Sequence, residues 1–149
     1  MGIHAIVLAA GWAAAASAPV PPGHGVSLSP AQRQRIVQAI AGLGSPAERR
    51  VAEAWSPAKQ AAEVLCRPLA LQVLRARAPA VDKVFLGLGG GHDLNLRSDR
   101  LLTGQGQARH GNDWETFAFA CELDPASGRA VRFVAHRAEK SSAGSTRRP

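Results

Sequence analysis

Trp114-Glu-Thr-Phe-Ala-Phe-Ala-Cys-Glu-Leu123 decides how this chain is read. Phe117, Phe119, Cys121 and Leu123 recur at every second position, which puts them on one face of a β-strand. Trp114, Ala118 and Ala120 fall on the other face, so that side is expected to be partly covered too. On either side lie segments that pair with it. Leu101 to Arg109 reads as one strand, joined through the turn His110-Gly-Asn-Asp113. Arg129 to Arg137 reads as the next, joined through Asp124-Pro-Ala-Ser-Gly128, with Pro near its start and Gly at its end. Val131, Phe133 and Ala135 are expected on the face that partners Phe117, Phe119 and Cys121. The result is a β-meander.

Upstream the period changes. Ser29-Pro30-Ala31, Ser45-Pro46-Ala47 and Ser56-Pro57-Ala58 each place a serine at an N-cap and a proline at the first helical position. There the missing N–H costs nothing. A first helix is expected from Pro30 to Ala41 with Ile36, Val37, Ile40 and Leu43 as its apolar stripe. Gly42 and Gly44 offer its stop. A second covers Pro46 to Trp55. A third starts at Pro57 with Ala58, Ala61, Ala62, Leu65 and Cys66 at i, i+3, i+4, i+7 and i+8. Pro68 is expected to end or kink it. Leu69 to Ala78 can resume as a helix, closed by Pro79. Val84 to Leu88 reads as a short strand, and Gly89 to Arg100 as a loop.

Helices first and strands second predict an α+β domain, with N-terminal helices packed on a small C-terminal antiparallel β-meander. Cys66 lies on a helix stripe and Cys121 on a strand's apolar face, the two surfaces that such a fold brings together. They are the chain's two cysteines, and a disulfide between them is expected if the protein is exported.

The ends bear on export. Small and apolar residues dominate 1–18, which close in Ala16-Ser17-Ala18 and read as a signal peptide. Residues 19–28 read as a linker, 29–137 as a single α+β domain, and 138–149 as a disordered basic tail. The predicted location is periplasmic or secreted. No apolar run approaches the roughly 20 residues of a membrane span.

The 149 residues carry 18 Lys+Arg against 11 Asp+Glu, a net charge of +7. Such a surface suits anionic polymers. Aromatic residues are only 5% and tyrosine is absent, so a base-stacking platform is poorly supplied and nucleic acid is disfavoured.

Chemistry-bearing motifs fail on spacing. His4, His24, His92, His110 and His136 never pair at helical spacing, and no C-x-x-C exists, so no metal site or cofactor is expected. Asp93-Leu-Asn95-Leu-Arg97-Ser98 opens like a calcium loop, but Arg97 and Ser98 stand where a ligand and the turn glycine belong. Gly87-Leu-Gly-Gly-Gly91 lacks the Gly-Lys-Ser/Thr of a phosphate loop. Gly104-Gln-Gly106 lacks the third glycine of a dinucleotide fingerprint.

The combination of Ala61-Ala-Glu-Val-Leu-Cys66 with Gly104-Gln-Gly-Gln-Ala-Arg109, Trp114 to Asp124 and Val131-Arg-Phe133 resembles a family of exported proteobacterial proteins, the domain of unknown function nine-thirty. The resemblance spans about residues 58–136. It implies export and paired cysteines, and no activity.

The expected function is a non-catalytic binding module of the cell envelope, meeting an envelope protein or anionic polymer. Arg109, His110, Asn112, Trp114 and Arg132, around the ends of the meander, form the candidate contact surface. The alternatives are a basic nucleic-acid or polyanion binder, and a small hydrolase using His92 and Asp93.

Overall fold

A computed structural model describes residues 26–89 and 92–137. The segments read as signal peptide and tail, and most of that read as linker, lie outside these residues.

All three Ser-Pro-Ala signals start helices: α1 is Pro30–Ala41, α2 is Pro46–Glu53 and α3 is Pro57–Gln60. At α1 the cap is reciprocal. The Ser29 hydroxyl accepts from the Gln32 N–H, while Gln32 Oε1 accepts from the Ser29 N–H at 2.8 Å. Gln32 is wholly buried, and its Nε2 donates to the Asp99 carbonyl at 2.5 Å. Its burial changes the expected stripe. Gln32, Ile36 and Ile40 face the core, Leu43 is half-buried, and Val37, one position off that line, is 66% exposed.

Pro68 does not end the third helix. From α3 the chain runs on through a π-helical segment, Ala61–Cys66, into α4, Arg67–Arg77. Proline lacks an N–H and its ring crowds the carbonyl one turn back. The wider π turns directly before it, with the Arg67 N–H reaching the Ala62 carbonyl, absorb both demands. Cys66 closes this segment and is fully buried.

The sheet comprises β1 (Val81–Leu86), β2 (Asn95–Ser98), β3 (Leu101–His110), β4 (Asp113–Asp124) and β5 (Arg129–Arg137). Its order is β1-β3-β4-β5, all antiparallel, and β3-β4-β5 is the expected meander. The span read as a loop from Gly89 to Arg100 contains β2, a short strand with little apolar content. It pairs with the first residues of β3, while β1 pairs with the last, so the two share one edge of β3.

Phe117, Phe119, Cys121 and Leu123 are all buried on the helix side, as their alternation predicts. The Phe119 and Phe133 rings stack at 5.4 Å, and Phe117 meets each edge-on at 6.4 Å. Cys66 and Cys121 form a disulfide with Cα atoms 6.2 Å apart, tying helix to sheet. Val131 departs from the expected alternation. Glu122 faces Arg132 but Leu123 faces Ala130, so Val131 is the extra residue of a β-bulge and is 60% exposed. Ala130 takes the inward place.

The turn after β4 is held from both sides. Asp124 accepts from the Ala126 and Ser127 N–H groups. The α1 cap reaches across, with the Ser29 hydroxyl donating to the Pro125 carbonyl at 2.7 Å and Arg35 Nε to the Ser127 carbonyl at 2.7 Å. Gly128 has φ 67°, and a Cβ there would lie 2.7 Å from the Ala31 carbonyl. Only glycine suits that position. Leu28, the last residue of the stretch read as linker, is itself buried in the core.

Candidate functional site

Register assigns each strand residue to a face, because directly paired residues share one. Phe117 and Cys121 point at the helices. Their neighbours Trp114, Thr116, Ala118, Ala120 and Glu122 therefore point the other way. On β3, across from them, stand Arg109, Gln107, Gln105, Thr103 and Leu101. Beyond β3, Lys83 pairs with Arg109 and Phe85 with Gln107. These residues make up the outer face.

One end of that face is built differently from the rest. Trp114 reaches over β3 to Phe85, and the two rings stack at 5.4 Å with 18° between their planes. Trp114 is 43% and Phe85 37% exposed, the two aromatic side chains among the described residues that remain substantially outside the core. A cation stands beside each ring. The Arg109 guanidinium lies 5.8 Å from the Trp114 centroid and the Lys83 ammonium 5.0 Å from that of Phe85.

Asp82 fixes the arginine. Its carboxylate accepts from Arg109 Nε at 2.9 Å and Nη2 at 2.6 Å, a two-pronged fit of planar groups. The hydrogen bond from Arg109 holds Asp82 below the usual carboxylate range, and the same bond raises Arg109. Both groups stay charged across the physiological range, so the platform carries a fixed cation in a fixed pose.

The five residues expected to form one contact surface divide. Arg109 and Trp114 meet on the outer face. Asn112 stands exposed in the two-residue hairpin loop, where Gly111, with φ 63°, occupies the first loop position. His110 turns to the inner face. There it lies 3.6 Å from Glu115, which also binds Arg137 at 2.9 Å, beside a cleft of about 330 Å³ floored by Leu74, Val81, Ala108, Phe117 and Ala135. Arg132 pairs with Glu122 at 2.8 Å near the far end of β4. That is eight residues from Trp114, roughly 25 Å at strand spacing. The two turns lie at opposite ends of β4, and the Asp124–Gly128 turn is occupied by α1. Sequence reading missed Lys83 and Phe85. A strand at residue 84 was legible, but its pairing beside β3 was not.

Asp93 Oδ2 accepts the Gln105 N–H at 3.1 Å, and His92 is exposed. Among the described residues no group of three or more His, Cys, Asp or Glu gathers at metal-binding distance, and no helix is long and apolar enough to cross a membrane. No protein-family model, curated protein or solved structure matches the chain. Fold and site together define a disulfide-stapled α+β domain with an exposed aromatic–cation platform.

Proposed function

We propose that the protein is an exported, non-catalytic binding module of the cell envelope, and that the outer face of its sheet is the contact surface. One observation carries this reading. The Phe85–Trp114 stack stands exposed between two cations on one face, while the opposite face is cross-linked to the helices. Exposed aromatic rings with adjacent charge are the composition of recognition surfaces. A rigid scaffold behind them lowers the ordering cost of binding.

Export rests on the N-terminal pattern and is supported by the disulfide, since such bonds persist in oxidising compartments. Kinship with the exported nine-thirty family, which residues 58–136 resemble, belongs to the same proposal. Non-reducing mass spectrometry of protein recovered from a bacterial periplasm tests export. The expected species lacks the leader and two thiol hydrogens; full-length, reduced protein in the cytosol contradicts it. A photo-crosslinking amino acid at position 114 tests the surface. It should capture an envelope component in cells, and an absence of adducts would reject the assignment.

A further inference from the structure

The polar groups along the outer face name the class of ligand, given that this face is the contact surface. We propose that it binds an acidic polysaccharide, a chain of pyranose rings carrying carboxylates.

Four features converge. The Phe85 and Trp114 rings, 37% and 43% exposed, leave apolar surface at the rim of their stack for the C–H groups of a pyranose. Beside them Lys83 forms no ion pair among the described residues, and Arg109 commits Nε and Nη2 to Asp82 while Nη1 remains for a carboxylate. Away from the rings, the outward positions of β3 and β4 are Thr103, Gln105, Gln107 and Thr116, the last two hydrogen-bonded to each other, with the short side chains of Ala118 and Ala120 among them and Leu101 and Glu122 at the far end. Neutral amides and hydroxyls are the natural partners of sugar hydroxyls, and the alanines keep this strip shallow enough for a chain to lie along it. On β5 the outward arginine is Arg132, paired with Glu122 near the far end.

That charge pattern separates two polymers. Single-stranded nucleic acid presents a phosphate at every nucleotide and is tracked by a continuous cationic groove. Here no lysine or arginine occupies an outward position of β3 or β4 between Arg109 and the far end. Sparse cations with neutral donors between them fit a glycan better than a phosphodiester chain.

The test is titration of the full chain with polygalacturonate, with its methyl ester, and with a 20-nucleotide oligothymidylate, at low and physiological salt. Polygalacturonate should bind saturably and weaken several-fold as salt rises. The methyl ester, with the same rings and no charge, should bind at least about tenfold more weakly. Trp114→Ala should lose about tenfold and Trp114→Phe should keep most of the affinity. Lys83→Gln should lose a few-fold and flatten the salt dependence. Circular dichroism confirms that each variant folds.

Equal binding of the methyl ester, wild-type affinity in folded Trp114→Ala, tighter binding of oligothymidylate, or no saturable binding of polygalacturonate would each overturn the proposal. If polygalacturonate fails while crosslinking from position 114 still captures an envelope component, the ligand class is wrong and the contact surface stands. If both fail, both readings fall.

Discussion

The inner and outer faces of the sheet share the same strands and hydrogen-bond ladders, yet they spend their aromatic residues in opposite ways. Inward, Phe117, Phe119 and Phe133 pack edge and face beneath the helices and beside Cys121. Outward, Phe85 and Trp114 stack in the open with cations against them. A chain with 5% aromatic residues still supplies both a core and a platform. Overall content understates a platform that register assembles from two strands.

Substitutions on the two faces should differ in cost, the largest effect lying on the inner one. Replacing both cysteines by serine should lower the unfolding free energy by about 4 kcal/mol, from closure of a loop of 55 residues. Denaturant titration checks this, and wild-type protein under reducing conditions should behave alike. Phe119→Ala removes a buried ring and should cost about 3 kcal/mol in the same assay, toward the low end for such truncations because two rings stand ready to close in. Gly106→Ala probes the sheet between the faces. A Cβ there would meet Phe117 Cζ at 2.7 Å and the Phe85 carbonyl at 2.8 Å, so about 2 kcal/mol should be lost to overpacking. Trp114→Ala should change stability by less than about 1 kcal/mol, because the ring is half outside the fold.

The smallest effect is a pH dependence. Asp124 is held below the usual carboxylate range, first by its hydrogen bond from the Ser127 side chain and then by the Ser127 and Ala126 N–H groups. A depressed folded-state value stabilises fully above the unfolded value, near pH 3.8. The contribution is lost as pH falls through the lower folded value. Acid unfolding of Asp124→Asn should show a shallower slope in that window than wild type.

Much of this fold was legible because its signals are local. Each Ser-Pro-Ala needs only its own turn to act as a cap. The alternation of Phe117, Phe119, Cys121 and Leu123 needs only the strand's period of two. The two cysteines could be matched because each lay on the one apolar face of its element. What escaped depends on neighbours. The bulge at Val131 is set by its pairing with β4, and nothing in Val131-Arg-Phe-Val-Ala135 marks it. β2 is a short edge strand of Asn95-Leu-Arg-Ser98, too polar to show a period. The continuous helix through Pro68 needed a π segment that sequence does not announce. For the site, Arg109 and Trp114 end and begin the two strands that the His110–Asp113 turn joins, so their pairing follows from the hairpin itself. Phe85 comes from a strand that pairs on the far side of β3, and only the sheet order reveals that two rings 29 positions apart stack together.

The proposed function divides labour between the faces: the inner face carries stability and the outer face carries binding. The most direct measurement takes Phe119→Ala and Trp114→Ala through the same two assays, denaturant unfolding and polygalacturonate titration. The division predicts a crossed result. Phe119→Ala unfolds about 3 kcal/mol more easily and, while folded, binds nearly as wild type. Trp114→Ala keeps its stability and loses about tenfold in affinity. Parallel losses in both assays by both variants, or a Trp114→Ala protein that binds undiminished, would contradict it.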